Sequence, residues 1–205
     1  MKRVGILGGT FNQPHIGHLI VANEVKNTLN LDEVRLMPTA VSPHKQVPGD
    51  ATASQRLRMV ELAVADSDGL PAFPFEVERG GVSYTFDTMK QLTEMEPDTS
   101  FDFIIGGDMI DMLPEWHRID ELVQLVRLIG VGRPGNIGKT AYPVTMVNVP
   151  QIDISSTLIR KRFSENGTVQ FLIPSDVEAF IREVGLYGCW EIENSSYGMF
   201  DRRTL

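Results

Sequence analysis

Short apolar runs alternate along this chain with longer stretches whose apolar positions recur every three to four residues. Val4-Gly5-Ile6-Leu7, Val34-Arg35-Leu36-Met37, Phe101-Asp102-Phe103-Ile104-Ile105, Arg127 to Val131 and Val144 to Val149 read as strands. The alternation from Phe73 to Val77 predicts one more. Helical spacing links Leu19, Ala22, Val25 and Leu29, then Leu57, Val60 and Val64. Thr85 to Glu94 and Ser156 to Phe163 read as further helices, and Leu122 to Val126 as part of a short one. In the last helix Ser175-Asp176-Val177-Glu178 has the form of a capping box, with Val177, Phe180, Ile181 and Val184 on one face and Gly185 as terminator. Strands separated by helices require crossover connections. The expected fold is therefore α/β and doubly wound, with a mostly parallel sheet covered on both faces. Ligands in such folds bind beyond the carboxyl ends of the strands.

Composition narrows the function without naming it. The 205 residues are 42% hydrophobic and 22% charged, which suits one globular domain. Residues 1–189 read as that domain and 190–205 as a polar extension of unassigned role. With 27 acidic against 19 basic residues the net charge is −8 and no Lys/Arg tract occurs, so neither nucleic acid nor an anionic membrane is an expected partner. Phosphates would have to be held by a few local groups. The single cysteine, Cys189, forms no internal disulfide. No signal-like or membrane-spanning segment stands out, and a cytoplasmic location is expected.

Chemistry gathers where strands end. The first strand runs into Gly8-Gly9-Thr10-Phe11-Asn12-Gln13-Pro14-His15-Ile16-Gly17-His18, at the predicted start of a helix. Glycines admit close backbone approach, and two imidazoles beside helix N–H groups suit an anion. A zinc pair is the rival, lacking a third ligand nearby, and a turn ended by His15 and capped by His18 is the plain structural alternative. Lys45, in Pro43-His44-Lys45, is either solvated or reaches a phosphate. Asp108, after Gly106-Gly107, suits ribose hydroxyls or a helix cap. Ile154-Ser155-Ser156-Thr157-Leu158-Ile159-Arg160 offers three hydroxyls and an arginine at a helix start, more than one N-cap needs. Gly130-Val131-Gly132-Arg133-Pro134-Gly135 and Gly138-Lys139-Thr140 imitate nucleotide-binding loops, but no helical pattern follows either, so both read as surface loop.

Taken together these motifs resemble the bacterial nicotinate-mononucleotide adenylyltransferases, of the nucleotidyltransferase superfamily with the (H/T)-x-G-H signature. His15-Ile16-Gly17-His18 carries that signature, and Ile154 to Arg160 matches the family's I-S-S-T-x-I-R segment. Pro43-His44-Lys45, Ser83 to Thr88, Phe103 to Asp108 and Leu113-Pro114-Glu115-Trp116-His117 follow in the family's order. The likeness extends from Lys2 to about Tyr187. Asn12-Gln13 depart from it, because an aspartate usually stands at the first of these positions.

The resemblance implies a Rossmann-like nucleotidyltransferase fold, with ATP and nicotinate mononucleotide as partners. The reaction would give nicotinate adenine dinucleotide and pyrophosphate, with Mg²⁺ held mainly by phosphates and water. It casts His15, His18, Lys45 and Arg160 as the catalytic set. Gly8, Gly9, Thr10, Phe11, His15, His18, Gly106, Asp108, Ser155, Ser156 and Arg160 would hold ATP. Thr10, Lys45, Tyr84, Thr85 and Trp116 would hold the mononucleotide, with Trp116 stacked on its ring or serving simply as a half-buried tryptophan. A homodimer is left open. The rival readings are a pantetheine-phosphate adenylyltransferase sharing the histidines, a binding-only paralogue, and a phosphate-loop NTPase relying on Lys139.

Overall fold

The computed structural model describes residues 1–42, 51–132, 140–150 and 152–189. Five strands form one all-parallel sheet: β1 (Lys2–Gly9), β2 (Glu33–Pro38), β3 (Thr99–Gly106), β4 (Arg127–Gly132) and β5 (Val144–Asn148), in the spatial order β2-β1-β3-β4-β5. The chain steps outward from β1 to β2, then crosses back to β3 on the other side of β1. That reversal is the point where a crevice opens at the carboxyl ends of the strands.

Both faces of the sheet are apolar, and the two-residue period of the strands sorts side chains between them. Val4 and Ile6, Phe101, Phe103 and Ile105, and Leu128 enter one core. Leu7, Val34, Leu36, Ile104, Ile129 and Val131 enter the other. Helices α1 (Ile16–Leu29) and α2 (Ala53–Val64) cover the second face with Ala22, Val25, Val60 and Val64. The short α3 (Phe75–Arg79) lies against β2, while α4 (Thr85–Met95) and α6 (Ile119–Leu125) cover the first face through Phe86, Met89, Leu92, Ile119 and Leu122. One turn, α5 (Gly107–Ile110), follows β3. The last helices, α7 (Ser156–Ser164) and α8 (Ser175–Glu183), pack on α2 around Phe163, Ile159, Val177 and Ile181.

Three local expectations are corrected. Phe73 to Val77 is not a strand: Ala72 makes a single bridge to Leu36, and Pro74 then opens α3. Proline has no N–H for a ladder and pre-sets the helical φ. Ser175 is no N-cap: Pro174 takes that position, its carbonyl accepting from Glu178 N–H, so the helix begins one residue early. Val184 is 41% exposed and ends the helix instead of lining its buried face. Gly185 does follow in the left-handed conformation (φ 66°).

Candidate active site

A cleft of about 580 Å³ opens at the carboxyl edge of the sheet. Its wall takes Thr10, Phe11, Asn12, His15 and His18 from the β1–α1 connection, Gly106 and Asp108 from the end of β3, and Ser155, Ser156, Thr157 and Arg160 from the start of α7. From Thr10 to Arg160 these residues span most of the chain, and the parallel sheet delivers them to one edge.

The histidines are held by the start of α1. His15 is the N-cap residue and its N–H donates to His18 Nδ1 at 3.1 Å. The rings lie 3.7 Å apart, with Phe11 at 5.0 Å from His18. Burial pushes His15 down to about 4, and burial together with the neighbouring His15 pushes His18 down to about 3. Both rings are therefore neutral near pH 7, not the cations an anion site first suggests. With Nδ1 accepting, the neutral His18 carries its proton on Nε2, so it can present one N–H donor. The capping alternative is thus real, and it coexists with a role in the cleft because it uses only one ring nitrogen. The first turn of α1 offers fewer amides than the sequence suggests. Ile16 N–H donates to Leu172 O at 2.9 Å and His18 N–H turns back to His15 O, leaving Gly17 N–H without a partner among the described residues.

The start of α7 divides its three hydroxyls. Ser155 caps the helix, accepting from Leu158 N–H; Ser156 Oγ donates to Gln13 O at 3.0 Å; Thr157 Oγ1 accepts from Arg160 Nη2 at 3.2 Å. Arg160 Nη1 donates to Asn12 O at 2.6 Å. Part of the guanidinium is therefore spent on the β1–α1 loop, and its other N–H groups remain for a ligand. Asn12, at the position that departs from the family, is anchored on two sides. Its Oδ1 accepts from Tyr187 Oη at 2.6 Å and from Ala51 N–H at 3.4 Å. Gln13 beside it is fully buried.

Gly8 and Gly9 do not line the cleft. A Cβ on Gly8 would stand 2.9 Å from the Phe103 ring, so this glycine lets Phe103 close over β1. Phe103 in turn meets Trp116 edge-on at 6.1 Å. Trp116 is half-buried, and its indole N–H has no partner among the described residues. Next to it His117 packs on Tyr84 at 4.7 Å and Arg118 lies 3.9 Å over Phe86. The fold thus brings Trp116 beside the first turn of α4, where Thr85 is the first helical residue. The first-turn amides of a helix are donors awaiting an acceptor. Lys45 and residues 190–205 lie outside the described residues, as do residues 133–139 of the glycine-rich loop. Gly130 belongs to β4, where a Cβ would stand 2.5 Å from Met146 Sδ; it is a packing glycine.

Arg56 belongs to none of the sequence motifs, Tyr187 only ends the stretch of likeness, and His117 carries no assigned role within the Leu113–His117 motif. Arg56 carried a readable signal, being a charged residue on the Met59-Val60-Ala63 face of α2, where it is 5% exposed. Tyr187 carried none, because its contact spans 175 positions.

The profile of the Cytidylyltransferase-like family matches residues 6–162. A protein of Geobacillus thermodenitrificans named probable nicotinate-nucleotide adenylyltransferase is 51% identical over 188 residues, 92% of this chain and 87% of that protein. One of the same name from Enterococcus faecalis is 49% identical over 186 residues, covering 91% and 85%. Among solved structures, the nicotinic acid mononucleotide adenylyltransferase of Plasmodium falciparum complexed with NaAD superposes with a TM-score of 0.75 over 91% of this chain and 98% of that one, at 19% identity. That likeness shows the same fold. The sequence matches span most of both chains, and on them this chain belongs to the cytidylyltransferase-like family, among its nicotinate-nucleotide adenylyltransferases.

Proposed function

We infer that this chain transfers the adenylyl group of ATP to nicotinate mononucleotide, forming nicotinate adenine dinucleotide and pyrophosphate in NAD biosynthesis. One observation carries the reading at the level of the site: His15, His18, Asp108, Ser156 and Arg160, from three separate strand ends, share one cleft.

The chemistry suits that donor set. The attacking group is the phosphate of the mononucleotide, already anionic, so no general base is needed. The protein's part is to hold two phosphorylated partners in line and to meet the charge that develops at the α-phosphorus. His18 would offer its Nε2–H to that phosphate, with His15 beside it. The first-turn amides of α7, with Ser155, Ser156 and Arg160, would hold the leaving phosphates; an anion there is favoured by the helix dipole. Lys45 would neutralise the reacting phosphates, and Gly106 and Asp108 would line the adenosine. Trp116 would stack on the cationic pyridine ring, and the Tyr84–Thr85 turn would give its amides to the nicotinate carboxylate.

Mg²⁺ seeks hard oxygen donors and keeps much of its water. Asp108 and the hydroxyls of Thr10, Ser156 and Thr157 along the cleft are donors of that class. The ion would be held chiefly by nucleotide phosphates and water, where it would supply charge neutralisation. No helix among the described residues is long and apolar enough to cross a membrane. A cytoplasmic location and a homodimer are compatible with the reading and are part of the proposal.

The test is to incubate the pure protein with ATP, Mg²⁺ and either the acid or the amide mononucleotide. Amides at the α4 start match a carboxylate and meet the NH₂ of a carboxamide as donor against donor. The acid should therefore be preferred by roughly 100-fold or more in kcat/KM. No dinucleotide from either substrate refutes the function; equal use of both refutes only the specificity.

A further inference from the structure

Arg56 lies on the buried face of α2, and its guanidinium reaches three backbone carbonyls. Nη1 donates to Thr10 O at 2.7 Å, Nη2 to Ala40 O at 2.9 Å and Nε to Ala51 O at 3.3 Å. The three carbonyls belong to three different segments: the loop after β1, the loop after β2, and the approach to α2. Burying a charged group is costly unless each of its donors finds an acceptor. A side chain retained there at that cost, with its fork spread over three segments, fixes their relative positions.

Each acceptor leads to the site. Thr10 lines the cleft, and the next residue, Phe11, holds φ 48°. A left-handed phenylalanine is strained by about 1–2 kcal/mol and persists only where its surroundings over-determine it. Phe11 in turn packs on His18. Ala40 is joined to the other end of the site: its N–H donates to Ser83 Oγ at 3.1 Å, and Ser83 N–H donates to Val41 O at 3.0 Å. Two residues after Ser83 comes Thr85, the start of α4. Thr39 N–H also donates to Gly9 O at 3.0 Å, tying the two strand ends together directly. The start of α2 that delivers Arg56 is itself secured by a Thr52–Gln55 capping box.

We propose that Arg56 is a positioning residue which registers the histidine end of the cleft against the start of α4, through Thr10 and the adjoining Phe11 on one arm and Ala40–Ser83 on the other. It is not among the residues that line the cleft. The proposal rests on the functional reading above. Its consequence is kinetic: an in-line transfer is sensitive to small displacements, and a shift near 1 Å between the partners costs on the order of 100-fold in rate while each binding site survives.

The test compares wild type with Arg56→Lys. Lysine keeps the charge and the aliphatic stem but has a single nitrogen, which cannot span three carbonyls in one plane. Circular dichroism and thermal unfolding establish the folded fraction, and initial rates are taken well below the transition. The expected result is a kcat reduced by about 10- to 100-fold in folded protein, with KM for ATP and for the mononucleotide each within about threefold of wild type. A purely architectural arginine would lower the unfolding temperature and leave kcat of the folded protein alone; that result overturns the proposal. If Arg56→Lys does not fold, Ser83→Ala decides. It leaves Arg56 in place and removes the Ser83 hydroxyl, which accepts from Ala40 N–H and also hydrogen-bonds the Glu76 carboxyl, so in folded protein kcat should fall by at least about threefold at unchanged KM for ATP, and wild-type kinetics would overturn the proposal. A wild type that makes no dinucleotide sinks the functional reading and this inference with it, whereas an active wild type with an equally active, folded Arg56→Lys sinks the inference alone.

Discussion

Acidification should weaken this fold through His18 by an amount the structure allows to be worked out. The ring is neutral, with its pKa held to about 3 by burial and by His15, against about 6.5 in an unfolded chain. A folded pKa below the unfolded one means that the unfolded chain binds the proton first. The contribution is intact above about pH 6.5 and is lost progressively as pH falls toward 3. Between pH 7 and pH 5 the unfolded imidazole gains most of a proton and the folded one almost none, which amounts to about 2 kcal/mol for this one group. Other groups titrate nearby. His15, held at about 4, acts in the same sense. Glu33 and Glu96 are held low by their hydrogen bonds and ion pairs with basic side chains and also favour higher pH, while burial holds Glu76 high and makes it act oppositely. A difference between two proteins cancels these. His18→Asn places a carbonyl oxygen near the Nδ1 position, so the His15 N–H keeps an acceptor, and it does not titrate. Urea unfolding of both proteins at pH 7 and pH 5 should show wild type losing about 2 kcal/mol more than the variant. Saturating ATP should shrink that excess, because bound phosphate favours the imidazolium. Equal losses in the two proteins without ATP would refute the assignment of His18 as a buried neutral donor.

Three further outcomes are expected. Arg160→Ala should weaken ATP binding by about ten- to a hundredfold, the scale of a charge-assisted bond to phosphate, as read by calorimetry; a loss confined to the mononucleotide would place Arg160 on the other substrate. Trp116→Ala should lower kcat/KM for acid and amide mononucleotides by similar factors, since stacking does not read the ring substituent, and a selective loss of the acid would give Trp116 a part in reading the carboxylate. Tyr187→Phe removes the bond to Asn12 Oδ1 and should cost about 1 kcal/mol in chemical denaturation; unchanged stability would mean that Asn12 finds another donor at no cost.

Strand and helix patterns were legible because their causes are local. A parallel strand buried on both faces is a short apolar run, and Val4 to Leu7 or Phe101 to Ile105 could be little else. The histidine signature and the Ser155 to Arg160 segment were legible because their spacing places several polar groups at one helix start. Where neighbouring residues compete, the local reading failed. Phe73, Phe75 and Val77 alternate like a strand, but Pro74 removes a ladder donor and the Phe73 and Phe75 rings stack at 5.8 Å, so the segment turns into α3. Charge was likewise invisible: the sequence shows two imidazoles, while only packing against Phe11 and against each other makes them neutral. What tertiary structure alone decided is which distant backbone groups meet. That Arg56 would reach Thr10 and Ala40, or that Tyr187 would reach Asn12, depends on the order of strands in the sheet, and carbonyl acceptors have no residue type to betray them.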